Sequence, residues 1–198
     1  MSNLNSKYIV IDTETTGLSP SKHGLIQLAA IVLDKNLEIV DEFVRDVCPP
    51  DGFEMDDEAT KIHGFSMDRI KSGISYKDVC IQFIDFIQAN FKEKPVVVGQ
   101  FYPFDYAFLE HVFSLTGYWY IMNRDLLDNK FIDTKSLALS LNLKAEIAGK
   151  EIPFKTTSLS KLGGLKDKLG ITGDYKAHDA LGDVLATREV LIKLLNYL

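Results

Sequence analysis

The fold is decided by the stretch YIVIDTETTGLSP at residues 8–20. Its β-branched residues predict a strand that ends at the glycine and proline of the following turn. Because residues two apart in a strand point to the same side, Asp12 and Glu14 share one face. Two buried carboxylates need a compensating positive charge, so the pair indicates a divalent cation site. Two solvated acids at a strand end are the alternative interpretation of this pair alone.

Further apolar runs extend this strand into a sheet. Residues 26–33 and 37–47 predict two more strands, joined by a polar corner that gives an antiparallel meander. Short apolar runs at 95–99 and 131–133 predict a fourth and a fifth strand. Apolar residues at helical spacing predict four helices, over 76–91, over 104–115, from 134 through 143 and over 179–198. The order indicates one α/β domain over residues 1–198, a mixed five-stranded sheet flanked by helices.

The composition is typical of a soluble globular protein. Of the 198 residues, 46% are hydrophobic and 25% are charged. A chain of this length can bury a complete core without disulfides. The chain has no apolar run of about 20 residues, and its polar N-terminus lacks the layout of a signal peptide. We therefore expect a cytoplasmic protein without membrane contact. Cys48 and Cys80 are isolated in apolar surroundings and are expected to be buried, reduced thiols.

The net charge of −6 and the isoelectric point of about 5.2 argue against a broad basic face that grips nucleic acid. An acidic site filled with divalent cations stays compatible with a phosphate substrate, because the bound ions supply positive charge where the phosphate approaches. The acidity therefore favours a carboxylate-rich metal site.

Two later segments contain further acidic residues. Asp105 follows the strand at 95–99 and lies at a strand-to-helix junction, where open α/β sheets bind ligands. An acid placed in a first helical turn by the helix dipole is the alternative. Asp183 lies near the start of the final helix among small residues, which allow the helix to approach the sheet and aim Asp183 at the strand carboxylates. His178 precedes that helix, where a loop can bring it over a bound phosphate.

These segments resemble, in order and spacing, the three motifs of the DEDDh exonucleases, which include the proofreading subunit of bacterial DNA polymerase III and ribonuclease T. The motifs are DTETTGL at 12–18, FDYAFL at 104–109 and HDALGD at 178–183, with weaker matches in IHGFS at 62–66, IDT at 132–134 and LGI at 169–171. Two positions depart from the family pattern: Gln100-Phe101 replaces His-Asn, and Gln27 replaces Glu. We expect both to alter substrate handling.

The resemblance implies a ribonuclease H-like fold and a two-metal phosphodiesterase that acts from the 3′ end of single-stranded nucleic acid. DNA is favoured and RNA stays open as the substrate, with nucleoside 5′-monophosphates as products. Two Mg²⁺ or Mn²⁺ ions would be held by four acids, Asp12, Glu14, Asp105 and Asp183. His178 would act as general base. The terminal nucleotide would contact Thr15, Gly17, Leu18, His63 and Phe65.

Other interpretations stay open. A catalytically inactive nucleic-acid or protein-binding module could share the fold, although all five catalytic positions are present. An aspartyl-phosphate phosphatase would need a second Asp where Glu14 stands.

The chain ends directly after its final helix at Leu198, so a polymerase partner reached through a C-terminal tail is not expected. A homodimer stays an alternative to a monomer, because members of the family form dimers. Of the five aromatic residues between 101 and 108, any member that faces the surface is a candidate for stacking on a base.

Overall fold

A six-stranded mixed sheet forms the centre of the molecule. The computed structural model describes residues 6–127, 130–173, 175 and 178–198. The strands are β1 (Ser6–Thr15), β2 (Leu25–Asp34), β3 (Ile39–Cys48), β4 (Ile74–Ser75), β5 (Val96–Gly99) and β6 (Phe131–Asp133). Their order across the sheet is β4-β3-β2-β1-β5-β6. The first three strands form an antiparallel meander, while β5 runs parallel to β1 and β6 parallel to β5.

The α/β class and the mixed sheet are confirmed, whereas the predicted count of five strands is wrong. The sixth strand, β4, contains two residues and pairs in parallel with the end of β3. Two residues are too few to produce an alternating pattern in the sequence, so this strand depends on the tertiary position of its neighbours.

Eight α-helices and one π-helical turn are present in the described residues. They are α1 (Asp57–His63), α2 (Met67–Lys71), α3 (Tyr76–Asn90), α4 (Pro103–Leu115), α5 (Trp119–Ile121), the π-turn (Met122–Leu126), α6 (Thr134–Ile147), α7 (Leu165–Lys168) and α8 (Ala180–Leu195). The sequence predicted α3, α4, α6 and α8. The short helices α1, α2 and α5 were not predicted, because fewer than two full turns give little periodic signal.

Alternation along β1 divides the core between two layers of helices. Ile9 and Ile11 point to the layer that contains α3 and α4, while Val10 points to the layer that contains α8. All three side chains are fully buried, and each such side chain stabilises the fold by roughly 1.5–3 kcal/mol. By the same alternation, Asp12 and Glu14 follow Val10 toward α8. The strand therefore places both acids on the sheet face that α8 covers.

No helix among the described residues is both long and apolar enough to cross a bilayer. Both cysteines are free thiols. Cys80 is buried as predicted, and Cys48, at the end of β3, is only partly buried.

Candidate active site

Helix α8 brings Asp183 to the acidic end of β1. Asp183 lies in the first turn of the helix and is buried. The helix surface that packs on the sheet has small side chains, which allow a close approach of the two backbones. The residues of this surface are Ala180, Gly182, Ala186 and Thr187, all of them buried. The structure thus brings Asp183 into the same cluster of acids as Asp12 and Glu14.

Gln27 fixes the start of α8. Its Oε1 accepts a hydrogen bond of 2.8 Å from the backbone N–H of Ala180, and its Nε2 donates one of 2.8 Å to Asp46. Asp46 in turn accepts hydrogen bonds from the Arg69 guanidinium, at 2.6 Å from Nε and 2.9 Å from Nη2. A Glu at position 27 could not donate to Asp46. This departure from the family pattern therefore belongs to a network that positions the helix of Asp183.

Asp46 and Arg69 were not predicted from the sequence as parts of this network. The available signal was Gln27 itself, the single polar residue within the run LIQLAAIVL at 25–33. A buried amide needs partners for both of its polar atoms, which could have prompted a search for them.

Asp105 reaches the same region from the opposite layer. It lies in the first turn of α4 and is buried. Its Oδ1 accepts two hydrogen bonds from Thr13, one of 2.9 Å from the backbone N–H and one of 2.7 Å from the hydroxyl. Burial raises the pKa of Asp105 to about 7, and the hydrogen bonds from Thr13 act in the opposite direction. Thr13 thus ties Asp105 to the strand between Asp12 and Glu14.

The pKa values of Asp12 and Glu14 are raised by burial and by the other acids of the cluster. Burial, followed by the charges of Asp105, Asp183 and Glu14, raises the pKa of Asp12 well above its usual value. Burial and the charge of Asp183 raise the pKa of Glu14 to about 8. Burial also raises the pKa of Asp183, although the charge of His178 opposes this. A cluster of acids with raised pKa values is the electrostatic setting that a bound cation relieves.

His178 completes the cluster. Ligand atoms of Glu14, His178 and Asp183 all lie within 4.8 Å of one another. His178 has a left-handed backbone, with φ of 62°, and its side chain is exposed. Within the described part of the chain, Oδ1 of Asp183 is buried and has no hydrogen-bond partner. The carboxylate oxygens of the cluster fit a hard divalent cation such as Mg²⁺ or Mn²⁺.

Two adjoining cavities open at these residues. The larger is a cleft of about 640 Å³ that contains Asp12, His178 and Asp183 in its wall. The smaller is a pocket of about 220 Å³ on the other side of Glu14. Four of the residues predicted to contact a terminal nucleotide line this pocket, namely Thr15, Gly17, Leu18 and His63.

Phe65, the fifth predicted contact, lines neither cavity. It is buried against Ile26 and Ile70, with its ring 5.2 Å from that of His63 and the Arg69 guanidinium 3.4 Å above it. The hydrophobic ring is drawn into a small core between β2 and α2 rather than toward the pocket. Its position beside His63 makes it a support for that side chain.

The pocket wall at residues 15–18 is a tight turn. The Thr15 hydroxyl donates a hydrogen bond of 2.8 Å to the Gly17 carbonyl. A Cβ at Gly17 would lie 2.3 Å from the ring of His23, so only glycine fits without a shift. Leu18 follows with 81% of its surface exposed. An exposed leucine beside a pocket can serve as an apolar contact for a ligand.

His63 offers a hydrogen-bond donor to the same pocket. Its Nδ1 accepts a bond of 2.9 Å from the backbone N–H of Phe65, which leaves Nε2 as the protonated nitrogen of a neutral ring. Burial and the charge of Arg69 lower the pKa of His63 and favour that neutral form. Nε2 is buried and has no partner within the described part of the chain.

A family comparison classifies the chain. The model of the exonuclease family, RNase_T, matches residues 9–191. The chain belongs to this exonuclease family. The resemblance to the DEDDh members, drawn from the three acidic motifs, is confirmed.

Relatives and solved structures agree with this membership. The PolC-type DNA polymerase III of Thermotoga petrophila is 28% identical over 97% of this chain, which spans 12% of that relative's length. E. coli exonuclease I in complex with a dT13 oligonucleotide has a TM-score of 0.72 and 22% identity, covering 96% of this chain and 40% of that one. The nuclease domain of 3′hExo, a DEDDh family member bound to rAMP, has a TM-score of 0.72 and 19% identity, covering 99% and 94%. The ribonuclease H-like fold is confirmed.

Proposed function

We propose that this exonuclease-family chain removes nucleotides from the 3′ end of single-stranded nucleic acid by metal-dependent hydrolysis of phosphodiester bonds. DNA is the favoured substrate, RNA a second one, and nucleoside 5′-monophosphates are the products. The observation that carries the proposal is the cluster of four carboxylates and one histidine beside a cleft of about 640 Å³ and a pocket of about 220 Å³. The cleft accommodates a strand, whereas the pocket has room for one terminal nucleotide.

The residues that would hold two divalent cations are Asp12, Glu14, Asp105 and Asp183. Their raised pKa values support this assignment, as does Oδ1 of Asp183, which is buried without a hydrogen-bond partner in the described part of the chain. Bound divalent cations supply Lewis acidity and positive charge at a phosphodiester. The acidic net charge of the chain is then no obstacle to an anionic substrate. Mg²⁺ and Mn²⁺ are preferred over Zn²⁺, because carboxylates dominate the donor set.

His178 is the proposed general base. A neutral imidazole can accept a proton from an attacking water at neutral pH. Its exposed position at the mouth of the cleft, beside Glu14 and Asp183, supports this role. Attack of that water breaks the bond between phosphorus and the 3′ oxygen of the upstream nucleotide. The phosphate stays on the released nucleotide, and the shortened strand gains a 3′ hydroxyl.

The terminal nucleotide is proposed to bind in the pocket beside Glu14. Nε2 of His63 is a donor without a partner among the described residues, and Leu18 offers an exposed apolar face. Thr15 and Gly17 form the turn that shapes this wall. A pocket of about 220 Å³ has room for one nucleotide, which favours a free strand end over an internal bond. That geometry supports exonuclease rather than endonuclease action.

The test is digestion of 5′-labelled DNA and RNA oligomers of one sequence with Mg²⁺ or Mn²⁺. A ladder that shortens by one nucleotide from the 3′ end is expected, and the faster polymer identifies the preferred substrate. Asp12→Asn and EDTA should abolish the ladder. Asp85→Asn is the matched control, because Asp85 is exposed on α3, in the layer opposite α8.

Two outcomes would contradict the proposal. Cleavage by Asp12→Asn at the wild-type rate would show that the acidic cluster is not required for hydrolysis. A folded wild-type protein that binds Mg²⁺ and oligonucleotide but cleaves neither polymer would instead support a non-catalytic binding module.

A further inference from the structure

Phe101 is an exposed aromatic residue in the wall of the large cleft. It shares that wall with Asp12, His178 and Asp183, so it lies along the same cavity as the proposed chemistry. Half of its surface is exposed. Tyr102 and Phe108 in the same aromatic segment are buried to 3% and 1% exposure. Among these three aromatic residues, the structure therefore singles out Phe101 as the one that faces a ligand-sized space.

The backbone of Phe101 is held in an unfavourable conformation. Its φ of 64° lies in the left-handed region, which glycine and asparagine tolerate and a bulky residue disfavours. Hydrogen bonds on both sides hold the segment in place: Gln100 Nε2 donates to the Thr157 carbonyl at 2.7 Å, and the Tyr102 N–H donates to Asp133 at 2.8 Å. The ring is thus presented at the cleft by a strained but well-anchored turn.

A cation accompanies the ring. The Lys135 ammonium lies 4.0 Å from the centroid of the Phe101 ring, over one face. Lys135 and Lys161 both line the cleft, which makes this part of the wall basic, in contrast to the acidic part at Asp183. An aromatic face beside lysines in one groove is the combination that binds single strands, with bases on the ring and phosphates at the ammonium groups.

We propose that Phe101 is a stacking platform for a base upstream of the scissile phosphate and that Lys135 contacts the adjoining backbone phosphate. The proposal rests on the proposed function, because it assumes that the terminal nucleotide occupies the pocket at His63 and that the strand continues into the cleft. It assigns a substrate-binding role to the position where the chain departs from the His-Asn of its family.

Two properties of Phe101→Gly separate this role from a structural one. Removal of the ring should raise KM for a twelve-residue oligothymidylate roughly tenfold, in line with the loss of one stacked base, and leave kcat within about twofold. The same substitution relieves the left-handed strain, so the urea midpoint of unfolding should rise. A ring needed for packing would instead lower the midpoint when removed.

A small substrate provides the second control. The p-nitrophenyl ester of thymidine 5′-monophosphate fills the terminal pocket and carries nitrophenolate where the upstream strand would leave. Its kcat/KM should be equal in wild type and Phe101→Gly. Phe101→Trp keeps an aromatic face and should restore KM for the oligomer to within about threefold of wild type.

Binding without turnover gives a readout that is independent of activity. On the Asp12→Asn background, fluorescence anisotropy of a labelled oligothymidylate should show Kd about tenfold higher after Phe101→Gly. Lys135→Gln should reduce the slope of log Kd against log salt by about 0.7, the value for one phosphate contact with a single strand.

The outcomes are distinguishable. Wild-type inactivity on both substrates would refute the proposed function. The anisotropy measurement would still test whether Phe101 binds the strand, because it does not depend on turnover. An active wild type with unchanged KM and Kd in Phe101→Gly would overturn the present inference alone. Equal losses on the oligomer and the small ester, with a lower urea midpoint, would also overturn it in favour of a packing role.

Discussion

Replacing Glu14 with Gln is expected to stabilise the metal-free protein at pH 8 and to have little effect at pH 5. The pKa of Glu14 rises from 4.5 to about 8 on folding, chiefly through burial and through the charge of Asp183. A raised folded pKa means that the ionised carboxylate destabilises the folded state. This cost is absent below pH 4.5, grows as the pH rises toward 8 and is constant above it. Gln has no charge and escapes the cost.

The size of the effect follows from the pKa difference. Each pKa unit corresponds to about 1.4 kcal/mol, so ionised Glu14 would cost the folded state roughly 4 kcal/mol at pH 8 and about 1 kcal/mol at pH 5. Solvent screening at this partly buried side chain lowers the difference to about 2–3 kcal/mol. With a urea dependence of about 2 kcal/mol per molar, Glu14→Gln should raise the midpoint of unfolding relative to wild type by about 1–1.5 M more at pH 8 than at pH 5.

The measurement is urea unfolding in EDTA at pH 5 and pH 8, followed by tryptophan fluorescence. Glu93→Gln is the matched control, because Glu93 is exposed in the loop between α3 and β5, away from the cluster. Saturating Mg²⁺ should stabilise the wild type more at pH 8 than at pH 5 and should stabilise Glu14→Gln less. Equal midpoint shifts for Glu14→Gln at both pH values would refute the coupling of the carboxylates.

Three further variants test other parts of the site. His178→Ala should lower kcat by about 10²–10⁴-fold while Mg²⁺-induced thermal stabilisation persists, and an unchanged kcat would exclude the role of general base. Gln27→Leu leaves the Ala180 N–H without its partner, so unfolding free energy should fall by about 1–3 kcal/mol and kcat should fall with it. Wild-type values for both would show that this contact does not position α8. Gly17→Ala places a Cβ against His23, so KM for oligonucleotides should rise. An unchanged KM would show that this turn does not contribute to substrate binding.

Much of the fold could be predicted because its main elements have strong local patterns. The strand YIVIDTET and the predominantly apolar β2 need no tertiary information to be identified, and α3 and α8 repeat apolar residues over four turns. Shorter elements escaped prediction for a physical reason. Strand β4 pairs with β3 and helix α2 packs against it, while α1 begins at a side-chain cap in which Asp56 accepts a hydrogen bond from the Glu58 N–H. These contacts, rather than periodicity, stabilise the short elements.

By itself, the sequence determined which residues could carry the chemistry. Alternation in β1 places Asp12 and Glu14 on one face whatever else the chain does, and three acidic motifs in order indicate the exonuclease family. Only the tertiary structure decided how Asp105 and Asp183 meet that strand. The hydrogen bonds of Thr13 to Asp105 span 92 positions, and that of Ala180 to Gln27 spans 153. Contacts at such separations depend on how the layers pack, which no local pattern encodes.

The same distinction holds for the residues that would contact substrate. Phe65 and His63 belong to one motif and their rings are in contact, yet only His63 lines the pocket, while Phe65 packs against Ile26 and Ile70. In the segment 101–108, Phe101 and Tyr102 are both aromatic, so the sequence alone does not show which of them is exposed. The left-handed backbone of Phe101 is what leaves its ring exposed at the cleft and Tyr102 in the core. Backbone conformation at single residues is set by the assembled structure, and this decides which side chains are available for binding.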